Sequence, residues 1–179
     1  RVKKLSRALR ISPFTARMLL NRGVEDPDTA GRFLDPTLNA LDDPSRHDDV
    51  RGAAEMLVDA VQSGRKIAVY GDYDADGICA TALLLKCLEL AGAEDVEFYL
   101  PHRYREGYGL NEDAIRELAD GGTDVLVTVD CGVCAVEETG LARRLGMDVI
   151  ITDHHEPCEQ TPEAQFVLDP KLDSCSLRF

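Results

Sequence analysis

Three aspartates fall within five residues in the run Asp72-Tyr73-Asp74-Ala75-Asp76-Gly77, and Asp153-His154-His155 stands well downstream. Carboxylates packed this closely repel one another unless they are protonated, solvated or holding a cation. Carboxylate plus imidazole is a ligand mix suited to Mn²⁺, Zn²⁺ or Fe²⁺, whereas an all-oxygen set favours Mg²⁺ or Ca²⁺. A further aspartate opens Asp130-Cys131-Gly132, and two guanidinium groups sit in His102-Arg103-Tyr104-Arg105. Asp74, Asp76, Asp130 and His154 supply enough ligands to begin a two-metal site, with Asp130 a natural bridge. Two cations roughly 3.5–4 Å apart activate a water and stabilise the leaving oxygen of a phosphodiester. Arg103 and Arg105 are suited to neutralise a substrate phosphate, Arg with bidentate geometry. Adjacent side chains at a strand end diverge, so one of His154 and His155 can ligate while the other faces substrate. The Gly107-Tyr108-Gly109 turn brings backbone close to a ligand, and Tyr108 either stacks on a base or caps toward solvent.

Other readings of these residues fare less well. The start of the aspartate run matches a calcium-binding EF-hand loop, but the twelfth residue from Asp72 is Leu83 rather than the required Glu, and a strand precedes it. A phosphoaspartyl enzyme of the haloacid-dehalogenase type also begins Asp-x-Asp after a strand, yet it leaves Asp153-His154-His155 unexplained. Cys131-Gly132-Val133-Cys134 is a CxxC without a second such pair, so a tight turn behind Asp130 explains it better than redox chemistry. Cys79 and Cys87 read as core of an apolar helix. His47 and His102 carry no strong claim.

The elements that must position the polar residues alternate. Helices are expected over 13–23, 26–34 and 52–61, with a connector over 36–49. Strands over 66–70, 96–100, 124–129, 149–152 and 166–168 are separated by helices over 78–90, 111–119 and 135–145. Strand–helix alternation implies βαβ crossovers and a mostly parallel sheet with helices on both faces, an α/β fold. In such a sheet the carboxyl ends of the strands share one edge, where ligands bind. Each polar segment follows a strand, so four segments deliver carboxylates, imidazoles and guanidinium groups to one crevice. The expected organisation is a helical segment over 1–50 and an α/β domain over 51–179.

The 179 residues are 44% hydrophobic and 30% charged, the balance of a globular chain rather than a disordered one. No stretch reaches the roughly 20 apolar residues of a membrane span, so no membrane partner is expected. Six irregularly spaced cysteines read as reduced thiols of a cytoplasmic protein rather than a disulfide framework. The net charge is −13, but the first 24 residues hold seven bases and no acid, which leaves the remainder at −20. Such an acidic body argues against non-specific coating of nucleic acid, while bound divalent metals can reverse the field at an acidic site. The basic N-terminal arm is read as a solvated helix face rather than a phosphate contact.

The segments YGDYDADG (70–77), HRYREGYGLN (102–111), TVDCG (128–132) and ITDHHEP (151–157) resemble the DHH phosphoesterase superfamily, within it the single-strand-exonuclease (RecJ) branch. LLNRGVEDPDTAGRFLDP (19–36) is similar to the segment preceding the catalytic domain in that branch. The resemblance implies Asp74, Asp76, Asp130 and His154 as ligands of two ions, Mn²⁺ or Mg²⁺. It implies that His155 positions or protonates around the scissile phosphate and that Arg103 contacts a phosphate. Asp72 and Asp153 would orient their neighbours, Asp72 alternatively ligating. The implied reaction is 5′→3′ hydrolysis of single-stranded DNA in repair and recombination, with a single-strand binding protein or a helicase as further partner. Alternatives are an oligonucleotide or cyclic-dinucleotide phosphodiesterase of the same superfamily, or a non-catalytic nucleic-acid-binding fragment. Family members use one more Asp ligand and a second domain beyond the stretch seen here, so the chain is expected to be the N-terminal part of a longer enzyme.

Overall fold

The computed structural model describes residues 1–41, 43–172 and 175. The chain divides into two compact units, the first over Arg1–Asp43 and the second from Pro44 onward. The division falls before residue 50 because a 3-10 turn at Pro44–Arg46 leads directly into the next helix, with His47 N–H on the Pro44 carbonyl and Val50 N–H on that of His47.

Among its described residues the first unit holds three α-helices, α1 (Val2–Leu9), α2 (Pro13–Asn21) and α3 (Pro27–Leu34), around buried Leu5, Ala16, Leu19 and Ala30. Ser12 and Asp26 start α2 and α3 by accepting the N–H of Thr15 and Thr29 at 3.0 and 2.8 Å, each followed by a proline at the first helical position. α1 carries the basic arm read as a helix face, for which the sequence suggested no bounds. It forms because Val2, Leu5 and Leu9 line one side against the other helices while Lys3, Lys4 and Arg7 stay in water.

The second unit runs α4 (Val50–Gln62), β1 (Ile67–Gly71), α5 (Ala75–Ala91), β2 (Val96–Tyr99), α6 (Glu112–Asp120), β3 (Val125–Val129), α7 (Val136–Arg144), β4 (Asp148–Thr152) and β5 (Phe166–Leu168). The five strands form one parallel sheet in the order β2-β1-β3-β4-β5, the α/β architecture expected from the alternation. β1 and β3 are buried along their whole length. Ala68, Tyr70, Leu126, Val149 and Ile151 pack toward Ala114, Ile115 and Leu118 of α6 and Leu141 and Ala142 of α7. Ile67, Val69, Val125, Val127 and Ile150 pack on the other face with Ala53 and Ala60 of α4 and Leu88 of α5. Each buried Ile or Val contributes about 2 kcal/mol, so the two faces fix the register that aligns the strand ends.

Helix α5 starts three residues before the expected 78, because Asp74 caps it: its Oδ1 accepts the N–H groups of Asp76 and Gly77 at 2.9 and 3.1 Å. The expected core placement of Cys79 and Cys87 is corrected, since both are exposed. Ile78, Leu83 and Leu90 of the same helix are also exposed, so an apolar composition did not mark which side was covered.

At the amino ends of the strands, charges are paired. Arg65 Nη2 lies 2.6 Å from Asp148 Oδ2, and Lys66 Nζ lies 3.1 Å from Glu97 Oε1 and 2.9 Å from the Gly121 carbonyl. The Lys66 N–H donates to Asp124 Oδ2 at 2.9 Å. No helix among the described residues is long and apolar enough to cross a membrane.

Candidate metal centre

Polar segments follow the carboxyl ends of the strands, and side chains of those after β1, β3 and β4 meet. After β1 the chain turns sharply into α5, and Asp72 is buried there. A Cβ on Gly77 would come within 2.4–2.6 Å of the Asp72 backbone, so only glycine lets the helix start this close to the strand. After β3, Asp130 adopts φ 62, a left-handed conformation that aspartate tolerates better than most residues. Its N–H donates to the Thr152 carbonyl at 3.0 Å, which carries the β3–β4 pairing one residue past the strands.

The two sides of this crevice share Asp130. Asp72, Asp74 and Asp130 each offer an oxygen within 4.8 Å of the others, and Asp130, His154 and His155 form a second such group. His154 Nε2 lies 2.8 Å from Asp130 Oδ1. Asp72 Oδ1 and Asp130 Oδ2 are buried with no hydrogen-bond partner. A buried carboxylate oxygen without a donor is costly, and a divalent cation is the group that would satisfy both. Burial, with the nearby Asp74 charge adding to it, pushes both carboxyl groups above the ordinary aspartate range; for Asp130 the His154 hydrogen bond opposes the shift. Asp76 lies exposed in the first turn of α5, in neither group.

Asp153 plays a different part. Its Oδ2 accepts the Val133 N–H at 2.9 Å, and its Oδ1 accepts from the N–H groups of His154 and His155 and from His155 Nδ1, at 2.7, 3.1 and 2.7 Å. Burial opposes ionisation here, but these donors outweigh it and hold the carboxyl below its usual range. With its lone pairs engaged, Asp153 organises the loop. His155 is partly buried, which disfavours its charged form, yet the Asp153 bond and the Asp130 and Asp72 charges raise its affinity for a proton. Tyr108 Oη approaches His155 Nδ1 at 3.0 Å. Tyr108, Gly109, Val133, Cys134, Asp153 and His155 line a cleft of about 300 Å³ beside the acidic group.

Arg103 stacks over the Tyr73 ring at 5.2 Å, which ties the segment after β2 to the aspartate run, and Arg105 is exposed nearby in sequence. Sequence reasoning missed Glu106, which holds this segment in place. It accepts from the Tyr99 hydroxyl, from the His102 N–H at 2.6 Å and from Asn111 Nδ2 at 3.3 Å. It also missed Asp169, fully buried just after β5, whose Oδ2 has no partner. Its position directly after a strand was the available signal.

The expectation of reduced thiols throughout is corrected at one pair: Cys134 is bonded to Cys158, with Cα atoms 5.3 Å apart. Cys131, the other half of the CxxC, is buried with Sγ 3.8 Å from the Tyr70 carbonyl, and burial pushes its thiol pKa well up. The spacing hid the pairing, because 24 residues separate the two cysteines and only the β3–β4 register brings them together.

Residues 66–177 match the family model described as the DHH family, N-terminal domain. The chain belongs to the DHH family. Among curated DHH relatives, the single-stranded-DNA-specific exonuclease RecJ of Bacillus subtilis (strain 168) is 40% identical over 179 residues, all of this chain and 23% of that protein. The RecJ of Thermus thermophilus is 37% identical over 95% of this chain and 24% of its own length. A crystal structure of RecJ in complex with Mn²⁺ from Thermus thermophilus superposes with a TM-score of 0.68 at 32% identity, over 94% of this chain and 23% of that one. A crystal structure of exonuclease RecJ bound to manganese gives 0.66 at 40% identity, over 72% of this chain and 32% of that one. This DHH chain thus spans about a quarter of the length of the curated relatives it matches.

Proposed function

We propose that this chain is the N-terminal, metal-binding part of a metal-dependent phosphodiesterase, a 5′→3′ exonuclease acting on single-stranded DNA in repair and recombination. The observation that carries the reading is Asp130, shared by two groups of candidate ligands and holding a buried oxygen with no protein donor. The similarity to RecJ proteins, two of them solved with Mn²⁺, supports it. On this reading the reaction runs in the cytoplasm, where a single-strand binding protein or a helicase presents the strand.

Asp72, Asp74, Asp130 and His154 would hold two divalent ions, Mn²⁺ or Mg²⁺, and Asp76 would join them from the first turn of α5. Bound ions would supply an activated water and neutralise the charge that develops on the phosphate. The rest falls to side chains. Asp153 fixes the proton of His155 at Nδ1 and so turns Nε2 into the atom that exchanges a proton with the substrate. Arg103, steadied over Tyr73, meets a phosphate oxygen, and Arg105 adds a second positive charge on the same segment.

Calorimetry with Mn²⁺ on the wild-type chain and on Asp74→Ala and Asp130→Asn tests the metal reading, beside a nuclease assay on 5′-labelled single-stranded DNA. Saturable binding that both substitutions abolish is the expected result. Folded wild-type chain that binds no Mn²⁺ would overturn the claim that these residues suffice as a metal site. Products released as mononucleotides from long strands would mark an exonuclease, and preference for short oligonucleotides would overturn the assigned substrate.

A further inference from the structure

The bond between Cys134 and Cys158 joins two of the three segments that carry the candidate ligands, those of Asp130 and of His154–His155. Cys134 lies four residues after Asp130, in the turn from β3 to α7, and Cys158 lies four residues after His154. The same two segments are linked non-covalently by the Val133 N–H on Asp153 Oδ2 at 2.9 Å and by contact of Cys134 Sγ with the Glu156 carbonyl at 3.6 Å. Both cysteines are exposed, and Cys134 lines the cleft beside His155. Of the other cysteines, Cys131 and Cys175 are buried, and Cys79 and Cys87 sit on α5. Cys79 and Cys87 are exposed as well, but neither is bonded to another cysteine, so cleavage of a bond within the chain is confined to Cys134–Cys158.

We propose that Cys134 and Cys158 form a thiol–disulfide modification site that sets how rigidly the Asp130 and His154–His155 segments are held together. The effect on metal binding rests on the metal-centre reading above; the lock itself does not. A thiolate of a dithiol reductant attacks one sulfur of the pair, the Cys134–Cys158 bond breaks, and a mixed disulfide forms with release of the other cysteine as thiolate. The second thiol of the reductant then displaces the remaining cysteine, so two electrons enter the protein and the reductant leaves as a cyclic disulfide. A small-molecule disulfide runs the exchange in reverse. Exposed disulfides are the ones most open to such exchange, whereas buried structural ones resist it. In the reduced chain only non-covalent contacts remain between segments that must hold ligand atoms within a few ångström: the Val133 N–H on Asp153, the Asp130 N–H on the Thr152 carbonyl, His154 Nε2 against Asp130 Oδ1, and the sulfur–carbonyl contact. Groups that orient ligands in this way typically govern about 10–100-fold in metal affinity.

The test uses the full chain in three forms: oxidised, reduced with a dithiol, and Cys134→Ser/Cys158→Ser. Thiol titration of the unfolded oxidised chain should find two fewer thiols than the reduced chain, and peptide mapping should place the bond between Cys134 and Cys158. Hydrogen exchange should then rise about tenfold at Val133 and at His154–Glu156 on reduction, with the double variant at the reduced value in either condition. Mn²⁺ affinity should fall by about tenfold in the same comparison. Full reactivity of all thiols after exposure to a disulfide oxidant would overturn the proposal, as would equal exchange in the oxidised and reduced chains. The exchange measurement needs no metal. A chain that binds no Mn²⁺ in any form therefore counts against the metal centre, while the exchange still decides the lock.

Discussion

His154 Nε2 lies 2.8 Å from Oδ1 of Asp130, while Oδ2 of the same carboxylate is buried without a partner. One oxygen of Asp130 is thus engaged by the segment after the neighbouring strand, and the carboxylate also comes within 4.8 Å of the aspartates after β1. Replacing Asp130 by Asn keeps the shape and the left-handed backbone but removes the charge. Mn²⁺ binding should weaken by more than the roughly 10–100-fold that even an outer partner of a ligand costs. Asp130→Ala should lose the metal and also about 1–2 kcal/mol of stability, because φ 62 strains alanine where Asn tolerates it. Calorimetry and urea denaturation on the two variants separate these effects.

The approach of α5 to β1 sets a second expectation. A methyl group at Gly77 would overlap the Asp72 backbone at 2.4–2.6 Å. Gly77→Ala should destabilise the second unit by about 3 kcal/mol, at the upper end of overpacking costs, even though alanine is the better helix former. A urea midpoint equal to that of the wild type would contradict this.

The segment carrying Arg103 and Arg105 should loosen in acid. The Tyr99 hydroxyl, then the His102 N–H, hold the Glu106 carboxyl below the ordinary glutamate range. A group whose folded pKa is depressed lends its support above the unfolded pKa and loses it as pH falls through the folded value. Hydrogen exchange at the His102 amide, corrected for intrinsic rate, should therefore accelerate below the ordinary glutamate pKa and stay flat above it. Glu106→Gln should raise exchange roughly tenfold at neutral pH by removing a charge-assisted bond, and should abolish the acid dependence.

Asp169 gives the opposite sign. Burial raises its carboxyl above the ordinary aspartate range, so between the unfolded and folded values the folded chain binds more protons than the unfolded one. Its contribution is therefore unfavourable at neutral pH, and the chain recovers that loss as pH falls through the raised value. In metal-free buffer Asp169→Asn should gain about 1–2 kcal/mol at pH 7, since an amide can keep the bond from the Lys171 N–H and costs less to bury than a carboxylate with one unpartnered oxygen. The gain should shrink as pH drops toward the ordinary aspartate pKa. Chemical denaturation at the two pH values reads both effects.

The parallel sheet was legible because each strand is a run rich in apolar residues with a polar residue close behind it, as in Val125–Val129 followed by Asp130. That rule alone brought Asp72, Asp74, Asp76, Asp130, His154 and His155 to one sheet edge, but it did not tell that Asp76 stands outside both groups. What stayed hidden depends on register or on competition for lone pairs. Nothing local tells that Asp153 engages both oxygens with backbone and imidazole donors while Asp130 keeps one free. Helix α5 was placed late because Ala75-Asp76-Gly77 has modest helix propensity, and the capping oxygen of Asp74 overrides it. Glu106 looked like one more surface acid in a charged run until Tyr99, His102 and Asn111 closed around it.

The sheet also sorts charge by strand direction. At the amino ends, Arg65 and Lys66 are matched to Asp148, Asp124 and Glu97, so that edge presents little net field. At the carboxyl ends, Asp72, Asp74 and Asp130 stand together. A cation diffusing toward the second unit thus meets its strongest unpaired carboxylate cluster at the carboxyl edge. Capture at that edge is steered over a range set by the ionic atmosphere, about 10 Å at 0.1 M salt. Salt then acts on how fast ions arrive, well before it alters how firmly they are held.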